Sequence, residues 1–159
     1  MSEFSRFEIY MLINQKNPLW MSDVDLSGAV LRGVDLSSSI LYNANLSGAD
    51  LRGANLSDGK MGGCNFENSN LIGADLRRSN FRGAIFRNAD LREANLAEAD
   101  LSESDLSGSN LIDANLGGVD LTNANLTDAD LTGSNIPDHK ILRAKSLSGA
   151  IMPDGSTHE

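Results

Sequence analysis

Ala49-Asp50-Leu51-Arg52-Gly53 is one copy of a five-residue unit that recurs along residues 21–136. Another copy, Ala129-Asp130-Leu131-Thr132-Gly133, keeps the same order of a small residue, Asp, Leu, a variable residue and Gly. Every fifth residue in this stretch is large and apolar, and most of these residues are Leu. A period of five matches neither the 3.6-residue period of a helix nor the two-residue period of a strand. Repetition at a fixed short period indicates a stacked solenoid.

The residues at the first and third positions of each unit, such as Ala49 and Leu51, are predicted to point inward. Residues two apart in extended backbone lie on the same side, so the other three positions face outward. The second position is usually Asp or Asn, whose side chain can hydrogen-bond nearby backbone at a corner. The fifth position is often Gly, as at Gly53, and Gly tolerates tight turning.

The repeated unit resembles the pentapeptide-repeat family, and residues 147–155 resemble the closing segment of its cyanobacterial members. The resemblance implies an all-β fold, a right-handed β-helix of square cross-section with four units per coil. About six coils would then form a solenoid ~29 Å tall, at about 4.8 Å per layer. Residues twenty apart would stack, which predicts two opposite core columns. These columns are Leu26, Leu46, Phe66, Phe86, Leu106 and Leu126, and Leu36, Leu56, Leu76, Leu96, Leu116 and Ile136.

The chain is expected to divide into a helical cap (1–18), the β-helix (19–143) and a C-terminal cap and tail (144–159). Residues 3 to about 14 place Phe4, Phe7 and Met11 on one face of a predicted helix, which Pro18 ends. An open solenoid end needs a cap, although this helix could instead bind a partner. Near the other end, Leu142, Leu147 and Met152 restart the spacing one residue late. Residues 156–159 are expected to fray.

Trp20, Ile40 and Tyr42 are predicted to form an outward apolar patch in the first two coils. Trp20 and Ile40 occupy second positions, which in most other units hold Asp or Asn. An exposed apolar patch needs covering. The N-terminal helix could dock here, or the patch could be a surface for self-association or for a partner.

The charged residues are unevenly distributed along the chain. Arg77, Arg82, Arg87 and Arg92 occupy the fourth position of four successive units, whereas the stretch from Glu93 to Asp138 has ten acidic residues and no Lys or Arg. The arginines could pair with nearby carboxylates on an ordinary solvated surface. Alternatively, the acidic half binds a partner. The candidate partner surface is Glu93, Glu98, Asp100, Glu103, Asp105, Asp113, Asp120, Asp128 and Asp130.

The sequence offers little support for catalysis, a metal site or a cofactor. His139 and His158 are the only histidines and lie outside the regular units, and no cluster of ligands with metal-site spacing occurs. Cys64 is the only cysteine, so an intramolecular disulfide is excluded, and its first position predicts an inert buried thiol. No signal peptide or membrane-spanning run is evident, so the cytoplasm is the expected location.

Two functions remain open. The first is a non-catalytic scaffold, a monomer or homodimer, that binds an unidentified protein. The second follows from the resemblance, because some members of the family resemble B-form DNA and inhibit or protect type II topoisomerases such as gyrase. The net charge of −9 argues against direct binding to nucleic acid or to an anionic membrane.

Overall fold

A computed structural model describes residues 18–159, so the helix predicted over residues 3 to 14 lies outside the described residues. The apolar residues of the repeat fill one continuous core. All twelve residues of the two expected core columns are buried, with exposed fractions from 0% at Leu76 to 6% at Ile136. Small first-position residues such as Ala49 lie beside them, equally buried.

Successive coils are joined by parallel β-bridges between residues twenty apart, for example Asn45 with Asn65. The bridges form four columns, which begin at Trp20, Asp25, Val30 and Asp35. We name each column by this first residue. Within a column the bonding is reciprocal, because the Leu46 amide donates to the Asn65 carbonyl at 2.7 Å and the Asn65 amide donates to the Ala44 carbonyl at 2.9 Å. One coil therefore contains twenty residues, four units and four corners.

The corner of most units is a tight turn closed by a backbone hydrogen bond. The amide of Ala49, which starts the next unit, donates to the Leu46 carbonyl at 3.0 Å. The fifth-position residue adopts the left-handed backbone region, with φ of +65° at Gly48 and about the same value at non-glycine residues such as Glu93, Glu98 and Glu103. Gly suits this position because it has no Cβ, and L-residues occupy it only where neighbouring structure holds them there.

The register shifts by one residue near the C-terminus, where Asn125 bridges Ser146 and Asp130 bridges Ile151. A short helix, α1 (Asp138–Ile141), takes up the extra residue. Ile141 is 2% exposed and Leu142 is 71% exposed, so Leu142 does not take the inward place that the restarted spacing gave it. The cause is the helical backbone, which rotates successive side chains by roughly 100° and turns Ile141 toward the core.

The last residues fold back onto the final coil instead of fraying. Thr157 forms an antiparallel bridge with Ile151, and the His158 amide donates to the Ala150 carbonyl at 2.8 Å. A turn at Pro153–Gly155 reverses the chain, with the Gly155 amide donating to the Met152 carbonyl at 2.9 Å. The expectation of a frayed tail is therefore wrong for residues 156–158, because their backbone is paired.

Candidate interaction surfaces

Many second-position carboxylates hold the corner of their own unit. Asp100 Oδ1 accepts hydrogen bonds from the Ser102 amide at 2.9 Å and the Ser102 hydroxyl at 2.5 Å. Asp120 makes the same pair of contacts with Thr122. The hydrogen bonds from the Thr122 hydroxyl and amide lower the pKa of Asp120. These carboxylates therefore stabilise the turn while carrying surface charge.

The nine acidic residues of the candidate partner surface lie on all four sides of the solenoid. Asp100 bridges Asp120 in the Trp20 column, whereas Asp105 lies in the Asp25 column. Glu98 belongs to the Asn95 unit, in the Asp35 column. The structure thus places three of the nine in the Trp20 column, three in the Val30 column, two in the Asp25 column and one in the Asp35 column. The remaining five are divided between the Trp20 column (Glu103), the Asp25 column (Asp128) and the Val30 column (Glu93, Asp113, Asp130).

Each arginine of the four successive units is paired with a carboxylate. Arg77 Nε and Nη2 donate to the two carboxylate oxygens of Asp75 at 2.9 and 2.6 Å, and Arg92 makes the equivalent fork to Asp90. The other two reach the adjacent coils: Arg82 pairs with Glu103 at 2.6 Å, and Arg87 lies 3.2 Å from Glu67 and 3.7 Å from Asp105. The forks hold the pKa of Asp75 and of Asp90 below the usual value.

These pairs divide the described chain into a neutral part and an acidic part. Residues 18–92 contain eight Lys or Arg and eight Asp or Glu, whereas residues 93–138 contain ten acidic residues and no Lys or Arg. Glu103 and Asp105 in the acidic part pair with arginines of the neutral part. The excess negative charge is therefore concentrated in the coils after Arg92.

The apolar residues Trp20, Ile40 and Tyr42 share one side of the first coils. Trp20 forms a β-bridge with Ile40, and Tyr42 lies in the same unit as Ile40, two residues after it. Trp20 is 77% exposed and Tyr42 is 42% exposed. Val30 is also exposed but lies in another column. Docking of the N-terminal helix on this patch concerns residues outside the described part, and use of the patch in self-association stays a prediction.

Cys64 lies in the core, where its Sγ donates to the Leu41 carbonyl at 2.7 Å. Burial raises the pKa of this thiol to about 12, which disfavours the reactive thiolate. Between residues 18 and 159, no group of three or more His, Cys, Asp or Glu side chains has the geometry of a metal site. None of the described helices has the length and apolar character needed to cross a membrane.

Asn135 has a structural role that its repeat position did not reveal. Its Oδ1 accepts the Leu116 amide at 2.6 Å, and its Nδ2 donates to Asn115 Oδ1 at 2.7 Å. In earlier coils the acceptor for a third-position amide is a backbone carbonyl. The Leu96 amide, for example, donates to the Asn115 carbonyl. The side chain thus replaces the backbone where the register shifts. Pro137 and the late restart of the spacing at Leu142 are the sequence signals that the regular pairing ends here.

The family model described as pentapeptide repeats (8 copies) matches residues 21–58, 60–97 and 99–136. No curated protein matches the chain. Among solved structures, a pentapeptide repeat protein from the thylakoid lumen of Arabidopsis thaliana is 27% identical, with 82% of this chain and 85% of that chain covered and a TM-score of 0.51.

Two cyanobacterial structures are also similar. HetL, a pentapeptide repeat protein involved in heterocyst differentiation regulation from Nostoc sp. strain PCC 7120, is 26% identical, with 96% of this chain and 98% of that chain covered and a TM-score of 0.38. Rfr23, a pentapeptide repeat protein from the cyanobacterium Cyanothece 51142, is 26% identical, with 69% of this chain and 85% of that chain covered and a TM-score of 0.41.

The family match extends over well more than half of the chain and coincides with the bridged coils. Pentapeptide-repeat structures imply that the solenoid is a right-handed β-helix. Members of this group are generally structural or interaction proteins rather than enzymes. The match over residues 21–58, 60–97 and 99–136, together with the twenty-residue coil, shows that this chain belongs to the pentapeptide-repeat family.

Proposed function

We propose that this protein is a non-catalytic scaffold in the cytoplasm that binds a partner protein through residues 93–138. The observation that carries the proposal is the concentration of charge: ten acidic residues and no Lys or Arg occur in this segment, beside a neutral segment. A surface of one sign attracts a partner of the opposite sign and steers its approach. The partner's contact surface is therefore expected to be rich in Lys and Arg.

Four carboxylates in this segment are well placed to meet a partner. Glu93, Glu98, Asp113 and Asp128 are exposed at the fifth position of their units, and no hydrogen bond or ion pair of their side chains occurs in the described structure. Asp100 and Asp120, by contrast, hold corners through Ser102 and Thr122. The first four can therefore be neutralised without removing a hydrogen bond or an ion pair of the described residues.

A capture experiment from a lysate of the source organism tests the scaffold proposal. The quadruple variant Glu93→Gln, Glu98→Gln, Asp113→Asn and Asp128→Asn removes four charges and keeps side-chain size. We expect it to lose the proteins that the wild type captures, and we expect salt to weaken wild-type capture as the Debye length falls from about 10 Å at 0.1 M to about 3 Å at 1 M.

The matched control changes shape at the same four positions and keeps their charge: Glu93→Asp, Glu98→Asp, Asp113→Glu and Asp128→Glu. This variant should retain the captured proteins if charge is the determinant. Undiminished, salt-resistant capture by the neutralised variant would exclude the acidic coils as the contact surface.

A second candidate, a DNA mimic that binds a type II topoisomerase such as gyrase, is favoured by one observation. The acidic residues lie on all four sides of the coils rather than on one, as phosphates surround a duplex. The paired arginines of the neighbouring coils interrupt this charge, which makes the scaffold the preferred function. Potent inhibition or protection of gyrase in a supercoiling assay, abolished in the neutralised variant, would reverse the preference.

A further inference from the structure

Each regular unit offers the same three backbone groups to the coil that follows it. In the unit that begins at Ala49, the Ala49 carbonyl accepts the Asn70 amide at 2.9 Å. The Leu51 amide donates to the Asn70 carbonyl at 2.7 Å, and the Gly53 amide donates to the Ile72 carbonyl at 2.9 Å. A final coil with no successor would leave these groups as an unpaired edge, and such edges promote association between chains.

In the final coil, the chain's own tail occupies the equivalent groups. The Ala150 carbonyl accepts the His158 amide at 2.8 Å, and the Met152 amide donates to the Ser156 carbonyl at 2.7 Å. The Gly149 amide, at the fifth position of the preceding unit, donates to the His158 carbonyl at 3.0 Å. Three residues of tail thus fill the hydrogen-bonding positions that another coil would use on this side of the solenoid.

The turn before the tail is built to hold it in place. Gly155 has φ of +83°, a conformation that favours glycine. Asp154 Oδ1 accepts both the amide and the hydroxyl of Ser156, at 2.9 and 2.6 Å. These contacts fix the direction in which residue 156 leaves the turn, so the tail is directed back along residues 149–152.

The direction of the tail identifies what it excludes. A further coil would pair in parallel, as every regular coil does, whereas Thr157 pairs with Ile151 antiparallel. Two copies of the chain that meet end to end about a twofold axis would also bring residues 149–152 together antiparallel, because such an axis reverses the facing strand. The tail therefore has the polarity of a second copy rather than that of a following coil.

We propose that residues 156–158 form an autoinhibitory strand that keeps the protein monomeric by occupying the edge through which a second copy would pair. The edge is residues 149–152 and the excluded partner is the same edge of a second copy. This proposal is independent of the acidic surface, because it concerns backbone groups at the C-terminal end of the solenoid.

Light scattering after size-exclusion chromatography tests the proposal with the full chain and two variants. The full chain should elute as a monomer of 17.0 kDa. A chain that ends at Gly155, and a full-length His158→Pro variant that lacks the amide bonded to Ala150, should form a species of twice that mass as concentration rises. Thr157→Ala keeps the backbone pairing and serves as the matched control, so it should stay monomeric.

Hydrogen exchange locates the new contact. The Met152 and Gly149 amides should remain protected in the dimer of the truncated chain, because the second copy replaces the tail, and should lose protection on dilution to monomer. Truncated and His158→Pro chains that stay monomeric, a full chain that is already dimeric, or open-ended polymers would each overturn the proposal. Loss of the wild-type circular dichroism in both variants would do so too, since the tail would then be part of the folding core.

Discussion

The rings of Phe66 and Phe86 lie parallel in the core, with centroids 4.8 Å apart and an angle of 2° between their planes. The two residues are twenty apart in sequence, and Phe81 meets both rings edge to face. The ring separation equals the spacing of about 4.8 Å between neighbouring strands. This ring stack therefore shows that residues twenty apart lie in successive coils.

Phe86→Ala should destabilise the protein by about 3–5 kcal/mol, because it removes a fully buried ring and leaves a cavity between coils. Urea unfolding followed by circular dichroism measures the change. Arg82→Ala is the control, since the Arg82–Glu103 pair is largely exposed, and it should cost less than about 1 kcal/mol. A larger loss for Arg82→Ala than for Phe86→Ala would contradict the inward assignment.

Ser109→Ala should stabilise the protein by about 1 kcal/mol, because the Ser109 hydroxyl is buried and has no hydrogen-bond partner in the described structure. Ser69 is the matched control in the same column, two coils earlier, and its hydroxyl donates to the Phe66 carbonyl at 2.7 Å. Ser69→Ala should therefore stabilise the protein less than Ser109→Ala does, or should destabilise it. Equal effects of the two substitutions on the urea midpoint would show that the Ser109 hydroxyl is satisfied.

Gly108→Ala should be more destabilising than Gly53→Ala, although the two glycines have nearly equal φ of +64° and +63°. A Cβ at Gly108 would lie 2.5 Å from Asn88 Oδ1, whereas a Cβ at Gly53 would meet nothing within 4 Å. Gly53→Ala should cost about 1–2 kcal/mol for the left-handed backbone alone. Combining Asn88→Gly with Gly108→Ala should remove the extra loss of stability that the contact with Asn88 causes. If the effects of the two substitutions on the free energy of unfolding simply add in this double-mutant cycle, the clash is refuted.

Stability should fall as the pH drops below about 4, the usual pKa of Asp. The arginine forks lower the pKa of Asp75 and Asp90 in the folded state. A carboxyl with a depressed folded pKa stabilises the protein above its unfolded pKa, and this contribution is lost as the pH falls through the folded pKa. Urea midpoints between neutral and acidic pH measure the loss.

The double variant Asp75→Asn and Asp90→Asn should flatten this acid dependence while it lowers stability at neutral pH. An acid profile identical to that of the wild type would mean that the two forks make no contribution. Since the side chains of both pairs are partly exposed, high salt should weaken the effect.

The repeat made the core predictable, and its exceptions mark where sequence reasoning failed. Leu76 and Phe86 could be assigned inward because a five-residue period permits one inward pair per unit, and the family resemblance supplied the coil of four units. Leu142 was misplaced because α1 changes the backbone period from that of a solenoid to that of a helix. The role of Asn135 could not be found, since its side chain substitutes for a backbone carbonyl only where the regular pairing ends, just before α1.

The candidate site was predictable in composition and not in arrangement. The charge of the segment after Arg92 is visible in the sequence, but the pairing of Arg82 with Glu103 depends on which coils are neighbours. The strand formed by residues 156–158 depends on a free edge at Ala150 and Met152, which no local pattern in the tail indicates. Edges and ion pairs between coils are tertiary features, so they follow from the register rather than from the repeat.

Disulfide formation between introduced cysteines tests the twenty-residue coil most directly. In a Cys64→Ala background, Ser107→Cys with Thr127→Cys places two thiols twenty residues apart at fourth positions, at a coil spacing of about 4.8 Å that lies within the Cα range of disulfides. Ser107→Cys with Thr122→Cys and Ser107→Cys with Thr132→Cys are matched pairs fifteen and twenty-five residues apart. Their native hydroxyls all bind the Asp or Asn of the same unit. Rapid oxidation of the twenty-residue pair alone is the predicted result, and preferential oxidation of either other pair would contradict a coil of four units.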